Sequence, residues 1–291
     1  MTTTHRAFHL ASDGSGAAGS RDDAATTGDM DLLRRTYREG RLILFVGAGV
    51  SAGLGLPTWQ ELVNEMARQL GFPPAEFATY GDYRALAEYH RLRMGRKSIL
   101  RWMADEWHKP GIDIGESALH RLIVDGCFRR IYTTNFDRWI EAAHDAYGKE
   151  YVRVSNVRDL AKATDSVRQI IKFHGDFEEG DSIVLDETSY FERLNFESPL
   201  DIKLRADLLD HSVLFIGYSI SDTNIRLILY KLWRTWEQAR ASSDRPPSYW
   251  FSPQWNPVAQ AVLDQWGIKI MASDLPDPGE ALLRFMRDLM K

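Results

Sequence analysis

The chain holds one cysteine, Cys127, in 291 residues. That excludes an internal disulfide and any zinc site built from several thiolates. Its eight histidines are scattered, without the close pairing of a metal site, so no protein-held metal is expected. No apolar run approaches the roughly 20 residues needed to cross a bilayer. The N-terminus lacks the basic-then-apolar order of a secretion signal, and the expectation is a cytoplasmic protein without a membrane partner. An excess of positive charge is missing too. Lys and Arg number 36 against 41 Asp and Glu, a net charge of -5 that argues against direct nucleic-acid binding. What is present is ordinary for a globular protein, 44% hydrophobic and 26% charged. The length suits one large α/β domain with an insertion, or two small ones. Tryptophan is plentiful at nine, mostly at helix-like spacings such as Trp102 with Trp107 and Trp233 with Trp236. Core packing is one reading of these; a subunit interface is the sharper one.

The densest information lies between Arg41 and Pro57. Residues 42–46, Leu-Ile-Leu-Phe-Val, form an unbroken apolar run that suits a parallel strand buried on both faces. Gly47-Ala48-Gly49-Val50-Ser51-Ala52 follows at once and satisfies the loose dinucleotide pattern G-x-G-x-x-A. Glycines there permit close approach of a phosphate, and exposed amides with the positive end of a following helix would favour an anion. A tight turn without a ligand accounts for the same residues equally well. No lysine follows the glycines, so the Walker pattern is absent.

Residues 1–28 are rich in Thr, Ser, Ala, Gly and Asp, which predicts a flexible tail. A first helix is expected from Asp29 to Glu39, closed by Gly40. Thr58-Trp59-Gln60-Glu61 reads as a capping box, ahead of Leu62, Met66 and Leu70 on one helical face. Residues from about 72 to 127 read as wholly helical, an insertion after the first strand. Strands are then expected at 129–133, 151–154, 168–173, 182–185, 212–217, 248–252 and 267–271. Helices are expected at 136–146, 188–208, 222–240, 257–266 and from about Pro278. This alternation predicts a Rossmann-like, doubly wound α/β fold with a mostly parallel sheet.

Ligands of such sheets bind at the carboxyl ends of the strands. The residues due there are Gly47 to Ser51, then Thr134-Asn135-Phe136-Asp137, then His174-Gly175-Asp176, then Gly217-Tyr218-Ser219-Ile220-Ser221-Asp222. Singly, each has a plain explanation, since Asn135, Asp137 and Asp222 are all suited to cap a following helix. Together they put four polar strand ends on one crevice.

Taken in order and spacing, Gly47-Ala-Gly-Val-Ser51, Gly55-Leu-Pro57, Thr134-Asn135-Phe136-Asp137, Phe173-His174-Gly175 and Gly217-Tyr-Ser219 resemble the sirtuin fold. More closely, they are similar to the sirtuin-like (Sir2-type) NAD-cleaving domains of bacterial anti-phage systems, over about residues 32 to 271. The resemblance implies an NAD site in a sirtuin-like NAD-binding domain of residues 29–291. Gly47, Ala48, Gly49 and Ser51 would hold the pyrophosphate and nearby ribose, and Gly217 and Ser219 would lie beside the adenosine half, with Asp222 also among the cofactor-binding residues. Asn135 and Asp137 would sit by the nicotinamide and its ribose, and His174 would be the general base.

The chain departs from protein-deacylating sirtuins in two places. One cysteine cannot build their four-cysteine zinc ribbon. Their Asp-Phe-Arg segment is here Thr58-Trp59-Gln60, which keeps an aromatic ring to guard the sugar but loses the cation. With the helical insertion where a peptide groove would need its partner domain, water remains as acceptor. The implied activity is hydrolysis of NAD to nicotinamide and ADP-ribose, as a toxic effector of defence. Control would come from a homo-oligomer or a partner, and relatives of this size pair with a hexameric translocase-type ATPase or an Argonaute-like protein. The alternatives are a non-catalytic NAD- or ADP-ribose-binding subunit, and a deacylase or ADP-ribosyltransferase.

Overall fold

The computed structural model describes residues 23–194, 197–218 and 223–291. Helix α1 spans Asp23–Arg38, six residues longer at its start than expected. It takes in the last part of the predicted tail; residues 1–22 lie outside the described residues. A single glycine inside a helix costs only about 1 kcal/mol, so Gly28 does not stop it.

Strand β1, Leu42–Val46, is buried along its whole length. Two short 3-10 turns follow at Ala48–Val50 and Ala52–Leu54. Helix α2, Trp59–Leu70, starts at the expected capping box, with both the Thr58 and the Glu61 bonds made, and ends at Gly71 in the left-handed conformation. The helical stretch expected at about 72–127 holds α3 (Pro74–Phe77), α4 (Tyr83–Met94), α5 (Lys97–Trp107) and α6 (Ala118–Asp125), and it packs with α2. Its core of Leu62, Met66, Phe77, Leu86, Ile99 and Met103 also contains Phe136, Ile183 and Leu185 from the sheet's carboxyl side. The insertion is thereby packed onto the edge where a ligand would bind.

The remaining elements are β2 (Arg130–Thr133), α7 (Trp139–Ala146), β3 (Tyr151–Val154), α8 (Val157–Lys162), β4 (Arg168–Lys172), α9 (Glu187–Leu194), α10 (Pro199–Asp210), β5 (Ser212–Ile216), α11 (Thr223–Gln238), β6 (Ser248–Ser252), α12 (Pro257–Gln265), β7 (Ile268–Ala272) and α13 (Pro278–Leu289). The strands form one sheet in the order β3-β4-β2-β1-β5-β6-β7. Every neighbouring pair is parallel, so the expected mostly parallel sheet is parallel throughout. Alternation along β1 sends Leu42, Leu44 and Val46 into one apolar layer and Ile43 and Phe45 into the other. That double covering makes the strand apolar on both faces.

Two expectations need correction. Residues 182–185 join no sheet. Gly180–Ser182 is a 3-10 turn, and Ile183 and Leu185 turn into the insertion core. A short apolar run does not distinguish a strand from a buried extended loop. The single helix expected at 188–208 is two helices, because Pro199 opens α10 and Ser198 with Asp201 forms a capping box in front of it. Helix α8, capped by Asn156, was not foreseen. Among the described residues no helix is long and apolar enough to cross a membrane.

Candidate active site

β1 lies between β2 and β5, and the chain leaves it first towards β2 and later returns on the β5 side. This is a topological switch point, where the crevice of an open α/β sheet forms.

The glycines at this point make a backbone-to-backbone joint. Gly47 N–H donates to Ile216 O at 2.9 Å, and Gly49 N–H to Gly217 O at 2.9 Å. A Cβ on Gly47 would lie 2.5 Å from Gly217 O, and one on Gly49 would lie 2.9 Å from Gly217 Cα. Gly217 itself has φ +68°, and a Cβ there would lie 2.7 Å from Val50 N. Val50 N–H and Ser51 N–H are used inside the turn, on Gly47 O and Ala48 O. The expected cradle of free amides at a helix start is therefore corrected. Four of these amides are already paired, and two 3-10 turns stand between them and the start of α2. Ala48 and Gly49 nonetheless face solvent at the mouth of the crevice.

One hydroxyl sews three strand ends together. Tyr218 donates to Val46 O at 3.1 Å, accepts from Thr134 N–H at 3.2 Å and lies 2.7 Å from Thr134 Oγ1. Beside it, Thr133 Oγ1 donates to Val46 O at 2.8 Å and accepts from Asn135 N–H at 3.0 Å. Asn135 is thus fixed at the end of β2, and its side-chain amide donates to Ser51 Oγ at 3.3 Å. The sequence-predicted Ser51 and Asn135 meet directly, and both are buried.

Asp137 is buried as well, and it does what a cap does: Oδ1 accepts from Trp139 N–H at 3.2 Å at the start of α7. Its carbonyl accepts from the fully buried Lys172 ammonium, which pairs with Glu141 at 3.3 Å. His120, from α6, lies within the field of Asp137. Burial nevertheless pushes its imidazole down to about 4, with the Asp137 charge opposing that shift.

His174 follows β4, whose end is aligned with β2 by the bond from Phe173 N–H to Thr133 O at 2.8 Å. It sits in a pocket of Phe173, Tyr190 and Arg193. The Tyr190 ring meets its edge at 5.7 Å. Burial, reinforced by the Arg193 guanidinium, pushes its pKa from 6.5 down to about 3. The ring is therefore neutral at physiological pH, and its Nε2 is buried without a hydrogen-bond partner among the described residues. A neutral imidazole with an open nitrogen can accept a proton.

Trp59, half exposed, rests on Tyr83 with ring centroids 4.9 Å apart. Tyr83 meets Tyr190 at 6.5 Å, so a line of rings runs from the exposed Trp59 to the buried His174. Arg84 lies over both tyrosines, at 5.5 and 5.4 Å. Tyr83, Arg84 and Tyr190 carry no motif and were missed. Tyr218 stood inside a quoted motif but was given no role. Ser219 and Asp222 lie outside the described residues. Among the described residues no three of His, Cys, Asp and Glu group as metal ligands.

A doubly wound parallel sheet with buried polar residues at the ends of β1, β2 and β4 defines a Rossmann-like α/β protein. Residues 129–271 match the SIR2-like domain family, and the chain carries a Sir2-type domain. Over 204 residues it is 31% identical to defense-associated sirtuin 2 of Bacillus subtilis, covering 68% of this chain and 20% of that protein. It is 31% identical over 210 residues to the NAD(+) hydrolase ThsA of Enterococcus faecium, covering 69% of this chain and 42% of the relative. For ThsA of Cytobacillus dafuensis the identity is 28% over 220 residues, with 72% and 42% covered. The chain thus spans less than half the length of these relatives.

Proposed function

We propose that this chain hydrolyses NAD at the nicotinamide–ribose bond, giving nicotinamide, ADP-ribose and a proton. The observation that carries the reading is the buried contact between Asn135 and Ser51 at the switch point, together with a His174 kept neutral beyond the end of β4. The names of the relatives support the choice of substrate. Breaking the bond leaves positive charge on the ribose, which the Asp137 carboxylate stabilises more in the transition state than in the ground state. Asn135 orients the attacking water or the ribose hydroxyls without adding charge. His174 takes the proton, directly or through a ribose hydroxyl.

In this reading Ala48 and Gly49 line the pyrophosphate side of the crevice and Trp59 guards the sugar. Water is the acceptor because the single cysteine cannot build a zinc ribbon beside a peptide groove. The name of defense-associated sirtuin 2 supports a role in defence. In this reading the chain is a toxic effector of anti-phage defence, held in check by self-association or by a partner such as a translocase-type ATPase or an Argonaute-like protein.

The test is to incubate pure protein with NAD and quantify nicotinamide and ADP-ribose, with Asn135→Ala and His174→Ala alongside. Stoichiometric release from the wild type, lost in both variants, is the expected result. No release in any assembly state refutes the hydrolase; release unaffected by both substitutions refutes the site.

A further inference from the structure

The loop that bears Asn135 and Asp137 is held from outside the sheet, by two consecutive residues at the end of α5. Trp107 O accepts from Trp139 Nε1 at 2.9 Å. Its indole lies parallel to the Phe136 ring, with centroids 5.9 Å apart and planes at 4°. His108 Nε2 accepts from Arg138 N–H at 2.9 Å. Because that bond needs a lone pair on Nε2, the ring proton sits on Nδ1, which donates to Ala104 O at 3.1 Å. Backbone or side chain, every residue from Phe136 to Trp139 except Asp137 is touched by this pair. Asp137 is flanked on both sides, and its carboxylate in turn caps Trp139 N–H. Both rings also meet Phe177, three residues beyond His174, at 5.9 and 5.7 Å.

We propose that Trp107 and His108 are positioning residues that fix the Asn135–Trp139 loop in its working geometry. The helical insertion thereby becomes part of the active site without touching substrate. His108 contributes an acceptor to one backbone amide, and Trp107 contributes a stacking face and a carbonyl. The sheet side anchors the loop at Asn135, through its N–H and its side-chain amide, and at the Asp137 carbonyl. A shift of about 1 Å at a catalytic group costs about 100-fold in rate, so such a clamp acts on turnover.

The effect on rate rests on the proposed NAD hydrolysis; the clamp itself can be read without it. His108→Phe keeps a flat ring but removes the acceptor, whereas His108→Gln keeps an acceptor near the Nε2 position. Hydrogen exchange on the full chain is expected to show the Arg138 and Trp139 amides exchanging about tenfold faster in His108→Phe, the equivalent of one lost hydrogen bond. Amides of α12, which packs on the opposite face of the sheet from α7, should be unchanged, and His108→Gln should restore most of the protection. Trp139→Phe, which removes the bond to Trp107 O, should loosen the same segment independently. In NAD hydrolysis, kcat should fall about 10- to 100-fold in His108→Phe with KM little changed. Unchanged exchange at Arg138, loosening spread evenly over the whole chain, or a loosened loop with wild-type kcat would each overturn the proposal. If the wild type releases no nicotinamide, the function fails while the exchange result still decides the clamp.

Discussion

The amide of Asn135 donates to Ser51 Oγ at 3.3 Å, across the joint between the ends of β2 and β1. Both groups are buried, so this is the contact that sets which way the Asn135 carbonyl faces. Ser51→Ala leaves the amide without its acceptor, and a neutral hydrogen bond is worth about 0.5–1.5 kcal/mol. The expected result in steady-state kinetics is a loss of about 2- to 10-fold in kcat/KM for NAD, much smaller than the loss in Asn135→Ala. An undiminished kcat/KM would show that Ser51 does not orient Asn135.

Gly217 is the centre of the glycine joint. Its φ of +68° is strained for any other residue, and an added Cβ would meet Val50 N at 2.7 Å and Gly47 O at 2.9 Å, both backbone atoms that cannot step aside. Gly217→Ala should lower the unfolding free energy in urea by about 1–3 kcal/mol. Gly53→Ala, where nothing lies within 4 Å, is the matched control and should stay within about 0.5 kcal/mol of wild type. Equal stability for both variants would contradict the joint.

The difference between these two glycines also shows where the sequence stops being informative. β1, the Thr58–Glu61 capping box and the start of α13 at Pro278 were legible because their signals are local: an apolar run, a four-residue pattern, a proline at N1. So were Asn135 and His174, each just beyond the end of its strand. The purpose of Gly47 and Gly49 was not legible, because a phosphate and the backbone of β5 demand the same missing side chain. Only the topology brings Gly217 alongside. Trp107 and His108 reach the site from the end of α5, far back in sequence from the Thr134–Asp137 motif they support, and Tyr190 from a helix with no motif at all. Pro199 was a local signal passed over, and it divided the helix expected at 188–208.

Lys172 is a charge with no route to water, fully buried and paired with an equally buried Glu141 at 3.3 Å. Removing one partner of such a pair strands the other, at a cost of about 3–5 kcal/mol. Lys172→Met should therefore be strongly destabilising, and the double variant Lys172→Met with Glu141→Leu should recover much of the loss. Chemical unfolding of the four proteins in the cycle measures this directly. Additive losses would mean the two groups are not energetically coupled. Activity should not recover in the double variant, because the Asp137 carbonyl still lacks its ammonium donor.

Burial holds His174 near 3 and His120 near 4, both below the ordinary 6.5. The unfolded chain binds protons at these sites at a higher pH than the folded chain does. Their contribution to stability is therefore fully present above pH 6.5 and is lost as the pH falls from there towards about 3. The same displacement governs catalysis, since a general base must be unprotonated. The acid limb of kcat/KM should not carry the ordinary histidine value and should instead lie well below it. Tyr190 closes the His174 pocket, with its ring 5.7 Å from the imidazole. Tyr190→Ala admits water, relieves the larger of the two causes of the shift and leaves only the Arg193 charge, so the acid limb should move up towards 6.5. The check is a pH–rate profile of NAD hydrolysis for both proteins. A wild-type limb already at the ordinary value, or a limb in Tyr190→Ala that does not move upward, would show that burial behind Tyr190 does not control this base.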